Sequence, residues 1–298
     1  MKRLIFLFLI LFLIIPSFAQ EIYGAFSSTG PTFGWNPRAL GMGNAFCAIE
    51  GSIDGIIFNP ATISRLLNSQ FSISYNYLPL TTESLGFGTE MYISSSYIAF
   101  GVPDTGLWAS GVFYTRISPS EDLGILYVEN QLAYSAAKTL DFMGIKNLAL
   151  GINLKKLWIN MPSPYKGDGW SVDLGILLRL FSNFNLGFSA QNLFSSLTWY
   201  DGENVYEERL QNCFKVGLSY QSSKFILALD LDFPSLNYHV GLEYFFDPIY
   251  LRLGWNIDSP TFGLGFRSPD GKWKIDYALL YSLGIGGIHH RIGLSLML

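Results

Sequence analysis

Beyond Gln20 the chain holds no apolar run of the roughly 18 residues that marks a membrane-spanning helix, because glycines or charges interrupt every apolar stretch. Yet 49% of the chain is hydrophobic, 16% is aromatic and only 14% is charged. An ordinary soluble domain carries about 25% charged residues. So apolar a chain belongs in a membrane or around a very large core. In hydrocarbon only helices and closed β-barrels satisfy all their own backbone hydrogen bonds. With helices removed, the barrel remains.

The first residues read as a secretory leader. Lys2 and Arg3 precede an unbroken apolar segment at 4–15, and Ser17 and Ala19 supply the small residues of a cleavage site. Residues 1–19 are therefore expected to be a signal peptide. No cysteine follows that site, which argues against a lipid anchor. Cys47 and Cys213 are too few for a disulfide scaffold and too far apart for a metal-binding pair; two unpaired, buried thiols are the expected state, with one bridge between them in an oxidising periplasm as the alternative. A net charge of −4 without a basic run makes nucleic acid an improbable partner.

From about residue 70 the sequence alternates with period two between turn residues. Trp273, Ile275, Tyr277, Leu279 and Tyr281 share one face against Lys272, Lys274 and Asp276. Ile249, Leu251, Leu253, Trp255 and Ile257 oppose Arg252, Gly254 and Asn256. Phe225 through Phe233 alternate likewise against Asp230 and Asp232, and Trp170 through Leu178 against Asp173 and Arg179. A soluble sandwich also alternates, but its wet face is rich in Lys, Glu and Thr. Here the polar face is sparse and made of Gly, Ser, Asn and isolated charges, as suits a crowded lumen, and Trp and Tyr at strand ends suit interfacial girdles. Strands are expected at 70–79, 90–101, 106–117, 126–138, 147–159, 168–180, 183–193, 208–220, 223–233, 236–246, 248–257, 260–268, 271–282 and 287–298. That makes about fourteen antiparallel transmembrane strands within residues 69–298, an even number as single-chain bacterial barrels have. Alternate connections are short and long, the long ones on the outside, although the contrast fades after residue 230.

Residues 20–68 do not read as strand. Asn36 followed by Pro37 is a helix start, an N-cap acceptor ahead of proline at the first helical position, and the helix is expected to run over 38–49 until Gly51. Asn59-Pro60 starts a second helical segment over 62–67. Both segments are apolar, so they are expected to fold inside the lumen as a hatch. Gly41 and Gly43 do not make a nucleotide fingerprint, since no strand precedes them and position 46 is Phe; close packing explains them.

The string Asn36-Pro37-Arg38-Ala39-Leu40-Gly41-Met42-Gly43-Asn44-Ala45-Phe46, with Phe58-Asn59-Pro60-Ala61 after it, resembles the N-terminal region of FadL-like outer-membrane proteins, nearest the PorV/PorQ branch. The likeness continues at residues 169–175, 227–232, 239–244, 261–267 and 290–295, in order along nearly the whole mature chain. It implies a fourteen-stranded barrel with an N-terminal hatch. Two departures stand out: no terminal aromatic closes the chain, and the outside loops are short for the fatty-acid branch.

Lumen-phase charges are Lys155, Asp173, Arg179, Lys215, Asp230, Asp232, Glu243, Arg252, Arg267, Lys274, Asp276 and Arg291. Both signs occur, so a mutually paired network anchoring the hatch is the simpler reading and a polar path past it the sharper one. Asp230 and Asp232 are expected to pair with Lys215 or Arg252 rather than to hold calcium. His289 and His290 are adjacent and point to opposite faces of a strand, so they cannot share a metal; His239 is remote from both. His290 faces outward with no serine beside it, so neither an enzyme nor a cofactor nor a metal is expected. The resemblance implies a monomeric barrel in outer-membrane lipid that passes small hydrophobic molecules, with sideways release at a weak point near Gly86 to Gly88 or Gly101 to Pro103. The alternative it implies is a secretion accessory whose partners are secretion-system or surface proteins; a purely structural barrel is the third reading.

Overall fold

The computed structural model describes residues 34–80, 91–119, 127–142, 145–281 and 288–298. The leader, the first part of the expected hatch and the glycines at 86–88 lie outside the described residues. The strands are β1 Gln70–Leu80, β2 Met91–Val102, β3 Ala109–Pro119, β4 Val128–Phe142 and β5 Ile145–Asn160. There follow β6 Lys166–Phe181, β7 Phe184–Tyr200, β8 Val205–Glu208, β9 Cys213–Gln221 and β10 Phe225–Phe233. The last five are β11 Asn237–Phe246, β12 Ile249–Asn256, β13 Ser259–Arg267, β14 Trp273–Tyr281 and β15 Ile288–Met297.

Neighbours in sequence pair antiparallel, and β1 closes the ring on β15 from Gln70↔Met297 to Tyr77↔His290. The result is a closed barrel of fourteen wall strands. The expected strand at 208–220 is observed as β9, which starts only at Cys213, and residues expected as loop ahead of it form the short β8. β8 pairs with Leu197–Tyr200 of β7, whereas β9 pairs with Phe184–Gln191 of the same strand. Residues 209–212 between them carry no strand pairing.

Burial is inverted relative to a soluble protein. Arg252 and Arg291 are wholly buried, while Leu227, Leu253 and Ile292 stand about half exposed on the outside. Leaving one such side chain in water costs about 1.5–3 kcal/mol, so a continuous belt of them identifies a hydrocarbon-facing wall. No helix among the described residues is long and apolar enough to cross a membrane.

The wall is uneven in height. β4 to β7 have 15 to 17 residues, β9 to β14 only 8 to 10. A tilted spanning strand needs about 9–11. Ser69 and Leu298 mark one rim, joined by Leu298 N donating to Ser69 O. The extra length stands at the opposite, far rim, where about six more residues at ~3.3 Å each add roughly 20 Å along the tilted strands, about 14 Å of height at a 45° tilt, to the β4–β7 side.

Residues 34–66 occupy the bore. Helix α1 (Pro37–Gly41) is capped by Asn36, whose side chain accepts from Ala39 N at 2.8 Å. It ends at Gly41 rather than continuing to residue 49. Gly43 and Asn44 both take left-handed backbone conformations (φ 63° and 62°), which turn the chain so that its backbone meets the wall. Asn59 caps a 3-10 turn at Pro60–Arg65 in the same manner. One face of this segment is apolar: Phe46, Ile49, Ile53, Ile56, Phe58 and Ile63 pack with Tyr97, Ala99, Phe113, Ala133 and Ala137 of β2 to β4. The other face is polar and addresses β9 to β15.

Candidate functional site

The wall receives the hatch through glycines. Gly101 pairs across strands with Gly111, Gly151 with Gly175, Gly187 with Gly217, and Gly241 with Gly254. All eight point into the lumen at hatch level. A Cβ on Gly151 would strike the Pro60–Ala61 peptide, on Gly187 the Cys47 carbonyl, and on Gly254 the Met42–Gly43 peptide. Gly41 and Gly43 complete the fit from the hatch side: Gly41 lies against Gly263 and Arg252, and Gly43 against the backbone of Val240 and Trp255. The belt lets backbone approach backbone, which no other residue type permits.

On both sides of the glycine belt run the charges. Glu243 accepts from Arg38 of the hatch at 3.0 and 2.8 Å and from Arg252 Nε at 2.6 Å. Arg252 also meets Asp276 at 2.7 Å, and Lys274 meets Asp276 at 3.1 Å. Burial opposes the charge on Arg38, but Glu243 outweighs it and raises the guanidinium above its ordinary value. Asp230 has no cation of its own; it accepts the backbone N–H groups of Phe46 and Cys47 at 2.7 and 2.8 Å. This corrects the expected pairing: the carboxylate caps the hatch turn. Asp232 does pair with Lys215. Arg291 donates to Trp35 O at 2.5 Å and to Ser95 Oγ at 2.7 Å. At the terminal rim Glu50 of the hatch joins Arg65 and Arg179, and Arg267 faces Asp247 at 3.6 Å. Both cysteines are free, and burial pushes the Cys47 thiol well up.

A second feature lies in the tall wall, where β7 is irregular. Its pairing with β6 shifts register twice, between Trp170 and Leu174, and Asn192 and Phe194 take left-handed conformations (φ 61° and 50°). On its other edge, residues 192–196 face the unpaired 209–212. Side chains bridge this seam. Leu210 N donates to Ser195 Oγ at 2.9 Å, and Asn192 Nδ2 to Gln211 O at 3.1 Å. Behind it Asp173 accepts from Lys155 at 2.6 Å, from Asn192 N at 2.9 Å and from Asn153 at 3.1 Å. Asn153 also donates to Ile56 O of the hatch at 3.1 Å. Toward the far rim, the inner face of the tall wall is apolar: Leu157, Ile159, Leu197 and Leu210 are buried against Tyr127, Met161 and Trp199. The expected weak point at Gly101 to Pro103 is regular strand at Gly101, whose missing side chain makes room for Ile53 and Leu66.

Sequence reasoning missed the seam: it ended the strand at residue 193, whereas β7 runs on to Tyr200 with Asn192 and Phe194 in left-handed conformations inside it. It also missed Glu50, Asp54 and Asn153, polar groups that bind across the hatch boundary. The glycine belt was visible as glycines in the lumen phase of successive strands. His290 lies on the outside, its Nδ1 2.6 Å from the Tyr277 hydroxyl, and His289 points inward.

These features define a membrane-spanning β-barrel with the segment ahead of β1 folded into its bore. Solved structures superimpose on it over most of their length. The toluene transporter TbuX of Ralstonia pickettii matches with a TM-score of 0.64 at 13% identity, over 88% of this chain and 98% of that one. The toluene transporter TodX of P. putida gives 0.63 at 12%, over 89% and 98%, and a Pseudomonas aeruginosa FadL homologue 0.57 at 11%, over 88% and 97%. At such identities the likeness is one of fold. No family model and no curated protein matches the chain.

Proposed function

We propose that this barrel is exported by its leader to a bacterial outer membrane and admits small hydrophobic compounds there. The compounds are collected on the apolar inner face of the tall wall and released sideways into lipid at the β7 seam. The observation that carries this reading is the seam itself: an interruption of the wall directly beside buried Leu197 and Leu210, while the axial route is filled by a hatch whose Leu40, Phe46 and Ile63 have no exposed surface. Elsewhere the described wall pairs strand to strand, whereas at the seam side chains stand in for the ladder, Ser195 Oγ accepting from Leu210 N and Asn192 Nδ2 donating to Gln211 O, so the wall can part there without breaking a run of backbone pairs. The sparse lumen charges hold the hatch. Pairs such as Arg38–Glu243 and Glu50–Arg179 tie them to the hatch, which favours an anchoring role over ion conduction. The channels that share this fold include toluene transporters, in keeping with the reading.

The test uses purified full-length protein in vesicles, with toluene and a medium-chain fatty acid as probes. Quenching of tryptophan emission on binding, with faster transfer of probe into the vesicle lipid, is expected. Replacing Leu197 by Asp should abolish both, because it places a charge among the apolar side chains at the seam. Absence of any probe binding, with surface proteins co-purifying instead, would overturn the reading in favour of an accessory role.

A further inference from the structure

We propose that His239 is a charged latch, which holds the hatch turn at Gly43 to the wall and releases it when the ring loses its proton. The imidazole is buried and makes two contacts: Nδ1 lies 2.9 Å from Gly43 O, and Nε2 3.2 Å from Asp232 Oδ2. A carbonyl oxygen can only accept, so Nδ1 carries a proton. Asp232 is the ion-pair partner of Lys215, hence a carboxylate that also only accepts, so Nε2 carries a proton too. Both nitrogens donate only in the imidazolium. Around the ring stand Asp232 at Nε2 with its partner Lys215 of β9, Asp230 opposite His239 on β10 and Asn256 opposite it on β12, while from the hatch the Cys47 amide is held by Asp230. With the ring charged, two cations meet two carboxylates and the cluster is neutral.

Loss of the ring proton leaves one N–H for two acceptors. The carboxylate keeps it, since the charge-assisted bond is the stronger, and the Nδ1 lone pair then faces Gly43 O. Gly43 is the hinge of the hatch turn. Its N–H is held by Thr261 Oγ1 at 3.1 Å, its carbonyl by His239, and the residues after it by Asp230. The latch therefore holds at low pH and weakens as pH rises. Its cluster lies near the far rim, at the start of β11 and the end of β10, where the wall is low, so the medium beyond that rim sets its state.

The experiment is hydrogen exchange at residues 43–47 of the full chain in lipid nanodiscs, corrected for intrinsic rates, between about pH 5 and pH 8, the range over which histidine changes charge. At least a ~10-fold loss of protection is expected across it, the size of one charge-assisted hydrogen bond. His239→Gln should flatten the profile, and His289→Gln, altering the other inward histidine, should leave it as in the wild type. Should His239→Gln fail to fold, side-chain nitrogen spectra of the wild type decide: both ring nitrogens of His239 protonated at the acid end support the latch. A neutral ring there, a flat wild-type profile, or a slope surviving in His239→Gln would overturn it. What the latch does to passage rests on the uptake reading, but exchange is read without solute, so either can fail alone.

Discussion

Substituting Gly151 by Ala tests whether the belt seats the hatch. The added Cβ would meet Ala61 Cα at 2.8 Å, and the Pro60 carbonyl carbon and Ala61 nitrogen closer still. Carbon atoms pack at about 3.5–4.0 Å, so the hatch backbone must retreat by roughly 1 Å. It cannot do so freely, because Asn59 Nδ2 donates to Cys47 O at 2.8 Å and to Ile176 O at 3.0 Å, and Gln191 holds Ile57 O at 2.9 Å. Overpacking of a filled interior costs about 1–3 kcal/mol. That corresponds to a ~5- to 150-fold shift toward an unseated hatch. Hydrogen exchange at residues 56–66 should rise by that factor, and conductance across a planar bilayer should gain open events. Leu150→Ala, one residue along and facing lipid, should change neither. Exchange within about twofold of the wild type in Gly151→Ala would refute the argument, since it would mean that the wall yields and the hatch does not depend on the glycines.

Glu243→Gln leaves Arg38 and Arg252 buried with their shared carboxylate gone. A loss of about 3–5 kcal/mol should appear as a lowered temperature for loss of the folded band on unheated gels. Lys155→Met strands Asp173 in the same way and should also raise exchange at 192–196, as the seam loses its support. Cys47 should resist maleimide in the folded protein and react faster in Gly151→Ala, a difference read by mass spectrometry. At the terminal rim Asp104 is held below its ordinary range by Lys138 and by the Gly106 N–H. Its contribution is present at neutral pH and fades as pH falls through that lowered value. Because the site is exposed, Asp104→Asn should cost only a few tenths of a kcal/mol, with no change in the acid limb beyond that amount.

The barrel was legible because its two constraints are local and repeated. Hydrocarbon forbids unpaired backbone, and period-two alternation places Leu251 and Leu253 outside while Arg252 turns inward, whatever the rest of the chain does. Asn36-Pro37 and Asn59-Pro60 likewise announced their caps, because an Asx side chain and the following proline act within three residues. The length of α1 was not legible: residues 42–49 have helical composition, but their turn is set by Thr261, His239 and Asp230, some 200 positions away. The same holds for Asp230, which a sequence pairs with the nearest lysine and the fold gives to the N–H groups of Phe46 and Cys47. The break between β8 and β9 is likewise a tertiary decision. It arises where the tall and low sides of the barrel meet, and one strand, β7, must pair with two partners of different height. Sequence alone determined a closed apolar-walled barrel with a helical segment to house, since both follow from solvent and chirality acting on each residue. Only the folded ring decided where that segment touches the wall and where the wall is left open, because those contacts exist only once distant strands stand side by side.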